Sequence, residues 1–523
     1  MTRRFVPRSA PVETSAAGAH AFVAVTFDAR TALGMRTAVA ARAAAVGATL
    51  TSRFTFARAG LETHVFAVAP ARAAGVMAAF RALPGVQRVG ITATRRYATA
   101  VTAPYFTDDP YFAGFASTNL GAPPTFEVEP LVESADVPGQ WDMHVMRLEW
   151  AFAYSQAANG SGRSAPGALG SSSVKIAVID TGEDTTHPEL AGKIVYQRCF
   201  ISNPENVQST SDFTTDGDGH GTDVSGLAGA ASNNGFGFTG AGGAAVLYGY
   251  RVFPTPDNNC LTPKSSDAQC GASTHDIAAA IEDAIGQHVN VISMSLGGGM
   301  CTDGDDPDPL EGSAVADAIA AGIIVVAAAG NGSGPPVVAP ACDPGVLAVG
   351  ATAIADGAPN GSGRSGGSSA APFEYVASYT DYGSPGAAPR NPAAWGIVAP
   401  GGDPANDMDG DDLHWIENIW TSTPANANFA GSCNGDYPSE TGTADCRVLI
   451  AGTSMSTPHV AGAAALILSV APQYQSAAAM RALLCGTAAD IGDPNEGCGR
   501  LDVYRAMATA LSDPSVPASS PVP

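Results

Sequence analysis

Four uninterrupted apolar runs constrain this chain more than any other feature: VKIAVID at 174–180, VNVISMSL at 289–296, GIIVVAAAG at 322–330 and VLAVGA at 346–351. They alternate with Ala-rich stretches of helical character at 275–286, 311–321 and 455–469. Strands that are apolar on both faces and separated by helices imply an α/β fold, a parallel sheet flanked by helices on both faces. Residues 20–97 predict a separate unit. Strand-like runs at 20–28, 49–56, 63–69 and 87–93 enclose helical stretches at 31–46 and from Pro70 to about Leu83, in the order βαββαβ. This small ferredoxin-like pattern serves many functions and identifies none.

The formal net charge is −23. Residues 1–104 hold 13 arginines against three acidic residues, a net of +10, which leaves −33 for the remainder. An acidic chain with three lysines lacks the clustered cations that a phosphate backbone requires, so nucleic acid is excluded as a partner. The chain has no run of 18 apolar residues, and none of the membrane-spanning kind is expected. Residues 1–19 and 511–523 (LSDPSVPASSPVP) are expected to be disordered ends, and residues 1–18 lack the apolar stretch of a signal peptide. Nine cysteines without C-x-x-C spacing favour disulfides in an oxidising compartment. Close spacing suggests Cys260 with Cys270, Cys433 with Cys446 and Cys485 with Cys498, leaving Cys301 for Cys342 and Cys199 unpaired; other connectivities remain open.

Four residues stand where chemistry is expected. Asp180 closes the strand VKIAVID, at the carboxyl end where parallel sheets place ligands, although an Asp there also caps turns. His220 lies in DGDGHGTDVSGLAGA, bracketed by glycines; the same setting suits a metal ligand or a turn. Ser454, in AGTSMSTPHVAGAAALIL, precedes an apolar helix with Pro458 in its first turn, and an N-cap role for it, Thr453 or Ser456 is the plain alternative. Asn331 follows an apolar strand in AAAGNGSG and could equally form an Asn-Gly turn.

Together, VIDTGEDTTHPEL, DGDGHGTDVSGLAG, ISMSLGG, AAAGN and GTSMSTPHVAGAAAL, in that order, resemble the subtilisin (subtilase) family over roughly residues 105–510. The resemblance implies a serine endopeptidase acting on polypeptides, with Asp180, His220 and Ser454 as its triad and Asn331 beside the oxyanion. It implies two backbone edges for an extended substrate, Ser295-Leu296-Gly297 and Ala327-Ala328 with Gly330. Both edges lack charge, which suits an apolar or aromatic residue before the cut, and Val338 stands where relatives carry glycine, which would narrow that pocket. It further implies calcium, held by the side chains of Glu189 and Asn234 and the carbonyls of Ser232, Phe236 and Phe238. Glu189 is a departure, since Asp is usual there. The stretch 403–412 could hold a second ion or simply be solvated.

The position of residues 20–104 resembles that of the family's inhibitory propeptide, implying a secreted monomer made as a self-processing zymogen and cut between Ala98 and Asp109. His64, His187 and His459 have no nucleophile motif beside them and are expected to be structural. Two competing readings are a binding protein that keeps the fold without activity, and a metal-dependent hydrolase built on DGDGH.

Overall fold

The computed structural model describes residues 21–56, 61–91, 140–159, 169–201, 218–253, 271–300, 308–355, 373–383, 395–403, 415–420 and 447–512, with Tyr105, Thr107, Asp109, Phe112 and Asp216. Several expectations lie outside them: the disordered N-terminus, the segment from Ala98 to Pro104 short of Tyr105, the acidic loop beyond Asp403, and the tail after Ser512. The chain divides into two compact units, Met1–Arg96 and Tyr97–Pro523.

The first unit has the expected βαββαβ order. Strands β1 (Ala21–Asp28), β2 (Thr49–Phe56), β3 (Leu61–Val68) and β4 (Val86–Ile91) form an antiparallel sheet in the order β2-β3-β1-β4, with helices Ala32–Val46 and Ala73–Arg81. Period-two alternation sends Glu62, His64, Phe66 and Val68 inward. Arg36 meets the buried Glu62 carboxylate with two hydrogen bonds, at 2.7 and 2.5 Å, and His64 Nε2 contacts it at 2.7 Å. His64 also packs edge-on against Phe27.

The second unit is built on an eight-stranded sheet. Its strands are β5 (Lys175–Asp180), β6 (Ile194–Cys199), β7 (Val246–Arg251), β8 (Val291–Met294), β10 (Ile324–Ala328), β12 (Leu347–Ala355), β13 (Phe373–Val376) and β14 (Gly396–Pro400). The path runs β13-β12-β10-β8-β5-β7-β6, with β14 also on β12, and every pairing is parallel except β12 with β13. Alternate residues of β5 serve opposite faces. Ile176 and Val178 join the core that contains the Thr453–Val470 helix, while Ala177 and Ile179 join the core under helices Thr274–Gly286 and Pro309–Ala320. The Thr453–Val470 helix is buried from Met455 to Leu468, which explains why its sequence is apolar on every side.

Two short ribbons complete the described part: β9 (Gly298–Met300) pairs with β11 (Val338–Ala339), and β15 (Ile416–Ile419) with β16 (Arg447–Ile450). Cys485 and Cys498 form the expected disulfide, Cys342 is disulfide-bonded, and Cys199 carries a free thiol. The other expected pairs lie outside the described residues. Among the described residues, no helix is long and apolar enough to cross a membrane.

Candidate active site

Asp180 is the last residue of β5, fully buried. Its Oδ1 accepts hydrogen bonds from Thr181 N and from His220 Nδ1, both at 2.7 Å. His220 is the first residue of the His220–Gly229 helix, with about a quarter of its side chain exposed. The approach depends on two glycines. Gly219, at φ 107, lies where an added Cβ would meet the Trp420 ring at 2.1 Å, and a Cβ on Gly221 would stand 2.0 Å from the carbonyl oxygen of Gly182.

The loop ahead of His220 is organised by Asp216, which the sequence reading missed. One oxygen of this buried carboxylate accepts from Thr181 Oγ1, Asp218 N and Gly219 N, the other from Thr222 N and Thr222 Oγ1. It therefore ties the end of β5 to the start of the His220 helix. Its only signal in the sequence is membership of DGDGH. His220 itself is held above the ordinary histidine value. Burial alone would lower it, but the charge and hydrogen bond of Asp180, then the charges of Asp218 and Asp223, outweigh burial.

Ser454 is the second residue of its helix. Its hydroxyl donates to the carbonyl oxygen of Ser295 at 3.2 Å, and Ser295 Oγ donates back to the Ser454 carbonyl at 2.7 Å. Among the described residues, no hydrogen bond joins Ser454 Oγ to His220. Asn331 Oδ1 accepts from Thr453 N at 3.1 Å and Thr453 Oγ1 at 2.8 Å, which orients the side-chain amide. Asn331 Nδ2 and Ser454 N both lie close to Gly452, 3.7 and 3.6 Å from the point where a Cβ on it would stand.

The two expected substrate edges are the ends of neighbouring parallel strands, since Ala327 of β10 pairs with Met294 of β8. Leu296, Ala327 and Ala328 are buried and can offer only main chain, whereas Gly297 is exposed and Gly330 partly so. A Val338 methyl lies between the edges, 2.6 and 3.0 Å from where Cβ atoms on Gly297 and Gly330 would be.

Of the residues expected around calcium, Glu189, Asn234, Phe236 and Phe238 are linked by hydrogen bonds. Buried Glu189 accepts from Phe238 N at 2.7 Å and from Asn234 Nδ2 at 3.0 Å, while Asn234 Oδ1 accepts from Phe236 N at 3.0 Å. Asp109, also missed from sequence, accepts from Asn233 N at 2.9 Å, Asn234 N at 3.0 Å and Thr239 Oγ1. The oxygen donors suit a hard cation, and the Asn234 amide would have to turn its oxygen toward Glu189 to join them. Among the described residues, no group of three or more His, Cys, Asp or Glu is arranged to hold a metal ion. The remaining histidines have local partners: His187 Nδ1 accepts from Glu189 N, and His459 contacts Asp142 and the Met455 carbonyl, each at 2.7 Å.

A parallel sheet of this order, with an Asp–His contact at its carboxyl edge and a serine at the head of an apolar helix, is the arrangement that the resemblance to subtilases implies. The sequence model of the Subtilase family (peptidase S8) matches residues 171–503. Thermitase of Thermoactinomyces vulgaris is 29% identical over 338 residues, covering 64% of this chain and 89% of that protein. Subtilisin DY of Bacillus licheniformis is 32% identical over 325 residues, covering 61% and 85%. An alkaline protease of Shouchella clausii is 28% identical over 369 residues, covering 71% and 72%. The chain belongs to the subtilase family and is a serine endopeptidase.

Asp216 generates the first prediction. Asp216→Ala removes the acceptor of five hydrogen bonds at a buried site, so stability should fall by about 3–5 kcal/mol. A urea midpoint like that of the wild type would show that the loop does not depend on it.

Proposed function

We propose that Asp180, His220 and Ser454 are the catalytic triad of this endopeptidase, with Asn331 Nδ2 and Ser454 N binding the oxyanion. The observation that carries the reading is the 2.7 Å contact of His220 Nδ1 with Asp180 Oδ1. With the proton on Nδ1, the lone pair sits on Nε2, ready to act as a base. The Ser454 hydroxyl leaves the Ser295 carbonyl, gives its proton to Nε2 and attacks the peptide carbonyl carbon. The carbonyl oxygen becomes an oxyanion that accepts from Asn331 Nδ2 and Ser454 N. His220 then protonates the departing amine, and water hydrolyses the acyl-Ser454 ester by the same proton path in reverse. Substrate lies as an added strand on the main chain of Ser295-Leu296-Gly297 and Ala327-Ala328 with Gly330.

The enzyme is further read as a secreted monomer made as a zymogen. Residues 20–104, with ten arginines against two acidic residues and so a net charge of +8, suit an inhibitor of a strongly acidic partner, since charge complementarity speeds docking. Cleavage falls between Ala98 and Asp109. Tyr105 N donates to the Glu149 carbonyl and Asp109 holds the 233–239 loop, which favours a cut ahead of Tyr105. The Cys485–Cys498 disulfide supports an oxidising destination.

Ser454→Ala should lower kcat by about 10⁶-fold and leave the precursor at its full mass, whereas the wild type trims itself to an N-terminus near residues 98–105. Cleavage by the variant at the wild-type rate would refute the triad.

Calcium is proposed as a structural ion held by Glu189, Asn234 and the carbonyls of Ser232, Phe236 and Phe238. These ligands would tie the 232–238 loop to residue 189, and a ligand of the native state alone raises its stability. Millimolar calcium should therefore raise Tm relative to EDTA in the wild type and not in Glu189→Gln. Equal melting with and without the ion would rule the site out.

A further inference from the structure

One buried carboxyl beside the proposed triad has no part in the acyl transfer. Asp223 lies three residues after His220, and side chains at that spacing share one face of a helix. It is fully buried, yet among the described residues neither of its oxygens accepts a hydrogen bond of ordinary geometry. The groups that act on it come from four elements. His220 on its own helix attracts its charge, while Asp180 of β5 and Asp142 of the Trp141–Val145 helix oppose it. Asn418 of β15 donates from Nδ2 to the main-chain oxygen of Asp223, leaving its own Oδ1 buried without a donor. Asp142 is in turn held by His459 of the Ser454 helix.

This neighbourhood has acceptors in surplus. The Asn418 amide acts on the Asp223 carboxyl only from outside ordinary hydrogen-bond geometry, its own Oδ1 is buried without a donor among the described residues, and one proton on Asp223 converts an acceptor into a donor. Asp216, by contrast, has a hydrogen atom pointing at each oxygen. We propose that Asp223 is a positioning residue of the peptidase reaction, acting through His220: its own charge state, one helical turn away, sets how readily the imidazole gives up its proton. The inference rests on His220 being the general base. Burial pushes Asp223 up to about 8, with the His220 charge and the Asn418 amide pulling it down. It thus exchanges a proton within the working range of an imidazole held above its ordinary value. Ionised Asp223 adds to the pull of Asp180 and Asp218 that keeps His220 protonated; neutral Asp223 releases it. The two groups titrate as a coupled pair.

The test is the pH profile of kcat/KM, measured with a peptide substrate on enzyme expressed as the full chain and allowed to process itself. Asp223→Asn keeps the shape, removes the charge and supplies an N–H donor. Its acid limb should move to lower pH by roughly one unit or more, the size of shift a nearby buried charge produces. Tm should hold or rise. A limb that superimposes on the wild type overturns the proposal, and so does a loss of activity that is uniform across pH. Should the amide variant not fold, Asp223→Ser removes the same charge with less bulk and is read by the same limb. His220→Ala serves as a separate control. Wild-type-like turnover in that variant would refute the general-base assignment, whereas an inactive His220→Ala with an unmoved Asp223→Asn limb refutes only the role of Asp223.

Discussion

The site exists only if three neighbouring parallel strands end in register. Val178 of β5 pairs with Ser293 of β8, and Ser293 pairs with Val326 of β10. Continuing that register by two residues brings Asp180, Ser295 and Ala328 to one level at the carboxyl edge of the sheet. A slip of one residue would turn each side chain to the opposite face and bury the wrong groups. The register is held by the apolar residues on both faces of the strands, which is why a sequence with so little charge in its strands specifies the position of a polar centre.

The Thr453–Val470 helix supplies the other half. It packs through the middle of the larger unit, and its first turn reaches the same edge. Hydrogen bonds between Ser295 and Ser454, and between Asn331 and Thr453, tie its N-terminus to the ends of β8 and β10. Placing charge here needs compensation, because an isolated ion is costly in a low-dielectric interior. Asp180 and Asp216 obtain it from main-chain N–H groups, hydroxyls and the imidazole. Asp223 obtains least, which makes it the most responsive of the three.

Much of this was legible in the sequence for a physical reason. Strands buried on both faces are continuous apolar runs, so β5, β8, β10 and β12 stood out, as did the helix after Ser454. Strands of mixed character did not: IVYQRC and VLYGYR, which became β6 and β7, carry Gln197, Arg198 and Arg251 among their apolar residues. Asp180, His220, Asn331 and Ser454 could be named because each lies at, or within three residues of, the end of a recognisable element. Asp109, Asp216 and Asp223 could not, because a buried carboxylate is spelled with the same letter as a solvated one. Only three-dimensional burial and the supply of N–H donors distinguish them. Val338 was visible as a departure, but its methyl's place between the Gly297 and Gly330 edges required the β9–β11 pairing.

Covalent trapping tests the central account most directly. Incubating the self-processed enzyme with phenylmethylsulfonyl fluoride and mapping its peptides by mass should place a single sulfonyl adduct on Ser454, formed at a rate that collapses in His220→Ala from which an added protease has removed residues 1–104. An adduct on another residue, or equally fast labelling of Ser454 in that variant, would contradict the assignment of Ser454 as a nucleophile activated by His220.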